Sequence, residues 1–227
     1  MILMIGVLMF AGMAVLPTMM QGLLDYPVIT AGMTQASRGV GTFVSMFLVG
    51  QLSGKFDNRL IIFVGVSLTG LSYWLMSGFS LEMDQTPIVV SGLFQGLGLG
   101  LVFTQLMSMA FTRTQPALHT EAASFFTLIR NIGSSVGISV VGALQIYNSG
   151  IVSSQLAEHA TPDNQNVIAE LPMIDLNTAG GQAMMHGMIE RQAAMVAYID
   201  SFHMLFIMCL VILPFLFFLR TKRASNA

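Results

Sequence analysis

A chain of 227 residues that is 54% hydrophobic and only 9% charged, with a mean hydropathy of +0.74, lies outside the soluble class, in which about 25% of residues carry charge. This is the composition of an all-α integral membrane protein. A net charge of −2 gives no case for nucleic-acid binding, and a single cysteine, Cys209, set in an apolar run, excludes a disulfide framework or a zinc-type cluster.

Six stretches are apolar over about 20 or more residues, enough to cross a ~30 Å hydrocarbon core as helices, and none alternates with the period of two that barrel strands require. They cover residues 1–21, 28–53, 60–81, 87–111, 122–147 and 198–219. The expected architecture is a six-transmembrane-helix bundle. Five helices lie within residues 1–147, an extracytoplasmic connection follows over 148–197, the sixth helix occupies 198–219, and 220–227 form a cytoplasmic tail.

The first stretch has no basic n-region and no small-residue cleavage site before Asp25, so a signal peptide is not expected. The second carries Arg38 about ten residues in, near mid-bilayer. A cation at that depth costs at least ~2.5 kcal/mol, so it should face protein or a water-filled cavity. The fourth contains Gly96, Gly98 and Gly100, but no strand precedes them and no Lys-Ser/Thr follows, so a phosphate loop is excluded. Gly92, Gly96 and Gly100 instead share one helical face as a double GxxxG packing seam. Gln95 and Gln105 on this helix read as interhelical hydrogen bonds ahead of substrate contacts. The fifth stretch repeats the arginine problem at Arg130, with Asn131 beside it, and then offers Gly133, Ser135 and Gly137 as a second small-residue seam.

Every acidic residue, from Asp25 and Asp57 through Glu121 to Glu190 and Asp200, falls in a loop or at a helix end. Arg38 and Arg130 therefore have no buried carboxylate in this chain. Backbone carbonyls, side-chain amides, an anionic substrate and carboxylates on a further portion of protein are the alternatives. The last is favoured, beside a purely bracing role.

In the connection, Pro162, Asp163, Asn164 and Pro172 read as loop. Residues 181–197, with Met184, Met188, Ile189, Met195 and Val196 at near-helical spacing, read as an amphipathic helix on the membrane surface. It either caps the outer end of the bundle or docks an envelope partner. No enzyme is indicated, because no His pair has metal-ligand spacing with a carboxylate beside it, and Ser134 and Ser135 lack a nearby His or Asp to activate them. No cofactor or metal is expected.

The segment from Gly50 to Arg59, GQLSGKFDNR, resembles the loop signature of the major facilitator superfamily, with Gly50, Lys55, Asp57 and Arg59 in a short cytoplasmic turn. AGMTQASRGVGTF, LIRNIGSSVGIS and ERQAAMVAYIDSFHML together resemble the fourteen-helix drug:proton antiporters of the EmrB/QacA type. Nearly the whole chain is similar to the carboxy-terminal half of such a carrier. The resemblance implies proton-coupled multidrug efflux of amphipathic or hydrophobic compounds by alternating access around a midplane site in a bacterial inner membrane. Arg38 and Arg130 match the family's arginine positions, and together with Gln95, Gln105, Asn131 and Asp200 they are the transport-pathway candidates. The resemblance also implies partners: the amino-terminal half, with its membrane-embedded acids, and, for EmrB-like members, a periplasmic adaptor and an outer-membrane channel. The alternative is a non-transporting remnant or accessory membrane subunit with the same fold.

Lys55, Arg59, Arg113, Arg220, Lys222 and Arg223 all fall on one side of a six-helix weave, whereas the other side has only Arg191. The positive-inside rule makes the first side, with both termini, cytoplasmic. A reporter fused after Arg223 is expected to be cytoplasmic and one inserted near Asn164 periplasmic; opposite labelling at either point would overturn this weave.

Overall fold

Backbone amides in hydrocarbon must find partners within their own segment, and the computed structural model of this chain meets that demand with helices alone in its long elements. It describes residues 2–52, 56–112, 115–159 and 178–216. Among them are six long helices: α1 (Ile2–Gly22), α2 (Val28–Leu52), α3 (Asn58–Met76), α4 (Gln85–Thr112), α5 (His119–His159) and α6 (Ala179–Phe215). A 3-10 turn, Pro116–Leu118, precedes α5. Five of the six are long and apolar enough to cross a membrane. The exception is α2, which at 25 residues has the length, but Thr34, Gln35, Ser37 and Arg38 interrupt its apolar run. Among the described residues, five spans thus stand against the six expected.

Two expected boundaries are corrected. The sequence reading ends the fifth helix at Tyr147 and separates a surface helix over 181–197 from a span starting at Tyr198. Instead α5 runs for 41 residues and α6 for 37 without a break, about 60 and 55 Å at 1.5 Å per residue. No proline falls between Pro116 and Pro162, or between Pro172 and Pro214, so nothing removes a backbone donor where the breaks were expected. Thr178 caps α6, its hydroxyl accepting from the Gly181 amide at 3.1 Å. Both helices exceed a ~30 Å core, and they pack on each other, with Asn148 Nδ2 donating to Asp200 Oδ2 at 3.3 Å. The expected loop around Pro162, Asp163, Asn164 and Pro172, residues 217–219 of the sixth span, the tail 220–227, and Lys55 and Arg113 lie outside the described residues.

Helices are brought together by small residues. On α4, a side chain at Gly92 would meet Ser37 Oγ at 2.6 Å, one at Gly96 would collide with the Arg38 carbonyl, and one at Gly100 would collide with Ser45. The contacts rise together along both helices, so α2 and α4 run parallel. Gly98, on another face of α4, abuts Gly65 and Thr69 of α3. On α5, Gly133 meets the Leu3 backbone, and a side chain at Gly137 would lie 2.8 Å from Val7 Cα, which sets α5 parallel to α1. The seam on α5 does not include Ser135. Two residues beyond Gly133 lie about 200° around a helix, and Ser135 is exposed, its hydroxyl donating back to the Asn131 carbonyl at 3.1 Å.

Behind these pairs, α3 packs on both α4 and α6. Phe79 meets Phe202 edge-on at 6.0 Å between ring centroids, and the buried Tyr73 hydroxyl donates to the Leu8 carbonyl, tying α3 to α1. Gly96→Leu and Gly137→Leu are each expected to lower thermal stability in detergent, since forcing a side chain into a packed seam costs about 1–3 kcal/mol. Parent-like thermal aggregation of both variants would show that neither seam determines the packing.

Candidate functional site

The pairings leave a gap. The pair α2 and α4 and the pair α1 and α5 are each closely packed, but α1 touches α2 little and α4 touches α5 little. Between the pairs lies a cavity of about 880 Å³, within the ~300–1,000 Å³ range of drug-sized ligand sites. Its walls are mainly apolar, with Met9, Met13 and Pro17 from α1, Phe43 and Met46 from α2, and Leu99 and Phe103 from α4. Both intramembrane arginines line it, Arg38 from α2 and Arg130 from α5.

Each arginine sits there because a glycine lets its backbone close on the neighbouring helix. Gly96 of α4 receives the Arg38 carbonyl, which also accepts from Thr42 Oγ1 at 3.0 Å; Gly6 of α1 receives the Arg130 carbonyl. Arg38 is 7% exposed; its Nη2 donates to the Gly12 carbonyl at 3.4 Å, and its buried Nε has no hydrogen-bond partner among the described residues. Arg130 is half-buried. Its guanidinium lies 5.8 Å from the Phe10 ring and 5.6 Å from the Phe103 ring, contacts worth about 0.5–2 kcal/mol each. Its Nη2 donates to Asn131 Oδ1 at 3.4 Å, and its buried Nε is also without a partner among the described residues.

The other expected pathway residues are not gathered here. Asn131 is exposed and reaches the site only through Arg130. Gln95 is fully buried beneath Gly12, beside Tyr73. Gln105 is equally buried, and its amide makes no hydrogen bond among the described residues, so the expected interhelical bond is not seen there. Asp200 is exposed on α6, bonded to Asn148. Of the loop-signature residues, Gly50 lies in the last turn of α2 with open space around it, Asp57 holds the N-cap of α3 with extended backbone and no side-chain cap bond, and Arg59, in the first turn of α3, is half-buried. Every carboxylate among the described residues is exposed, and none lines the cavity.

Sequence reasoning missed the two rings that hold Arg130. Phe10 and Phe103 sit in uniformly apolar runs, where nothing local separates a cavity wall from a lipid-facing surface. It named Arg191 only for its side of the weave and missed its contacts: Arg191 donates to the Leu23 carbonyl at 3.1 Å and to Asp25 Oδ2 at 3.4 Å, binding α6 to the turn between α1 and α2.

A family model described as Major Facilitator Superfamily matches residues 1–152. The chain is 24% identical over 159 residues to the fatty acid resistance protein FarB of Neisseria gonorrhoeae, covering 70% of this chain and 31% of FarB. It is 28% identical over 163 residues to the probable multidrug resistance protein EmrY of Escherichia coli (71% and 31%). Against the multidrug export protein EmrB of the same organism, identity is 24% over 163 residues (71% and 32%). The matched stretch thus spans about a third of the length of these curated relatives.

If the cavity admits water, a cysteine placed at Met13, on its wall, should react with a hydrophilic maleimide about tenfold faster than the buried native Cys209, because only a hydrated thiol ionises readily. Equal rates for the two thiols, followed by mass shift on the intact protein, would close the cavity to water.

Proposed function

Because the chain belongs to the major facilitator superfamily, whose members are transporters rather than enzymes, we propose that it forms the carboxy-terminal six-helix half of a proton-coupled multidrug efflux carrier. The observation that carries this reading is the meeting of Arg38 and Arg130, from separate helix pairs, on one mainly apolar cavity of drug-sized volume. Two further facts support it. Relatives named for multidrug export and resistance share the matched stretch at about three times its length. Only 11% of the apolar stretch of α5 is buried, against 56% of that of α4, which leaves α5 with apolar surface for an amino-terminal half to cover.

In this reading the halves rock about the cavity and open it alternately to each side of a bacterial inner membrane, with both termini of this chain cytoplasmic. Methionine and phenylalanine walls hold amphipathic or hydrophobic compounds of different shape because thioether chains repack at little cost. The arginines form the polar part of the path, set against groups on the other half whose protonation they influence. A periplasmic adaptor and an outer-membrane channel would continue the route outward.

Expressed alone, the 227-residue chain is expected to insert but show no proton-driven dye efflux. Co-expression with a matching amino-terminal half should restore efflux, Arg130→Ala should abolish it at unchanged membrane abundance, and Arg130→Lys should rescue only in part, because a point charge does not reproduce the guanidinium fork. Full efflux from the chain alone would defeat the half-carrier reading, and full efflux from Arg130→Ala would reduce that residue to a brace.

A further inference from the structure

We propose that Arg191 is a latch: it holds the end of α1 beyond Pro17 against α6, and its release lets that end turn about Pro17 and move one wall of the cavity. The inference concerns how the wall moves and is independent of what the cavity carries.

The hinge comes from the sequence of α1. Proline has no N–H, so at Pro17 the helical bond to the Met13 carbonyl is lost and the ring crowds that carbonyl. Thr18 weakens the same turn, because its hydroxyl donates back to the Ala14 and Val15 carbonyls at 3.0 and 2.8 Å, a pattern that bends helices. Before this point α1 is fixed. Tyr73 donates to the Leu8 carbonyl, Arg38 donates to the Gly12 carbonyl at 3.4 Å, and a side chain at Gly12 would collide with the Tyr73 hydroxyl and meet Gln95 Nε2 at 2.7 Å. One arm of the hinge is thus pinned from α2, α3 and α4. Met13, Pro17 and Gln21 carry the cavity wall across it to the other arm.

That other arm is tied by charge. α1 ends at Gly22, where carbonyls without helical donors make the terminus partly negative, and the Asp25 carboxylate, at a φ of 55°, adds a full negative charge beside it. Arg191 offsets both, donating to the Leu23 carbonyl at 3.1 Å and to Asp25 Oδ2 at 3.4 Å. The ion pair is exposed, so water replaces it at small cost. What it shuts in is apolar: Met19 and Met20 are fully buried and Leu23 nearly so, in the core cluster that also holds Met195 of α6. A weak polar tie over a buried patch, at the end of a hinged segment, gives a local opening that lies well below global unfolding in free energy.

The test compares a cysteine behind the latch, Met20→Cys, with one before the hinge, Leu8→Cys, in the 227-residue chain in nanodiscs. Both positions are buried, so a hydrophilic maleimide reports the fraction of molecules open at each, with the labelled site located by peptide mapping. Arg191→Gln is expected to speed labelling at Met20→Cys about fivefold, the effect of losing an exposed ion pair and its carbonyl bond, and to leave Leu8→Cys unchanged. Arg191→Lys should fall between, and Glu190→Gln, an exposed neighbour outside the latch, should match the parent. Raising salt to about 1 M should speed Met20→Cys in the parent but not in Arg191→Gln, because screening acts on the ion pair. Adding Pro17→Ala, which restores the missing donor, should bring the Arg191→Gln rate back toward the parent's. Leu23→Cys replaces Met20→Cys if the latter fails to fold. Parent-like labelling behind the latch in Arg191→Gln would overturn the proposal. Equal acceleration at Leu8→Cys would do the same by assigning the bonds to global stability, and a rate indifferent to Pro17→Ala would remove the hinge. Labelling requires no transport, so none of these outcomes depends on the carrier reading.

Discussion

The missing side chain at Gly96 lets α2 press the carbonyl of Arg38 against α4, and the rest of the site depends on that contact. Lipid tails are as apolar as leucine, so apolar burial gives little net drive for helices to associate in a bilayer; van der Waals contact between close backbones has to supply it. The same device recurs on the other side of the cavity, where Gly6 of α1 receives the carbonyl of Arg130. Each arginine is anchored by its backbone in a seam, and its guanidinium reaches the cavity that the seam borders.

These seams also explain why there is a cavity. Packing is dense within two parallel pairs, α2 with α4 and α1 with α5, and sparse between α1 and α2 and between α4 and α5. On the far side, α3 packs on α4 and α6 on α5, Phe79 in the turn after α3 meets Phe202 of α6, and Tyr73 donates to the Leu8 carbonyl of α1. The space between the pairs is therefore open where the arginines lie and closed where the aromatic core lies. The arginines are affordable in an apolar bundle because a carbonyl, an amide and two aromatic rings already offset part of their desolvation.

At the other end of the bundle, α5 and α6 outrun the bilayer thickness as a packed pair. Arg191 ties that extension to the turn at Asp25, whose φ of 55° is the positive value among described non-glycine residues. An exposed ion pair contributes little by itself, about 0–1 kcal/mol, but its additional bond to the Leu23 carbonyl fixes where the extension leaves the bundle. Among the described residues, that end is built of continuous helix rather than of a separate surface helix.

Helix class and most helix starts among the described residues were legible in the sequence, because long apolar runs without period two admit one solution in hydrocarbon. Arg38 and Arg130 stood out for the same reason: a cation in an apolar run is costly wherever the run packs. The seam glycines of α4 were legible through four-residue spacing, which fixes a face before a partner is known. What those faces meet was decided only by tertiary structure. Spacing could not say that Gly96 lies under Arg38, that Ser135 turns away from Gly137, or that Asp200 and Gln105 stand apart from the cavity. Nor could it reveal the length of α5 and α6, where the expected breaks rested on changes in hydropathy, while a helix ends only where its backbone bonding is interrupted. Phe10 and Phe103 were silent for the most general reason: an apolar residue in an apolar sequence carries no mark of whether lipid, core or cavity lies against it, and only the packed bundle assigns that neighbour.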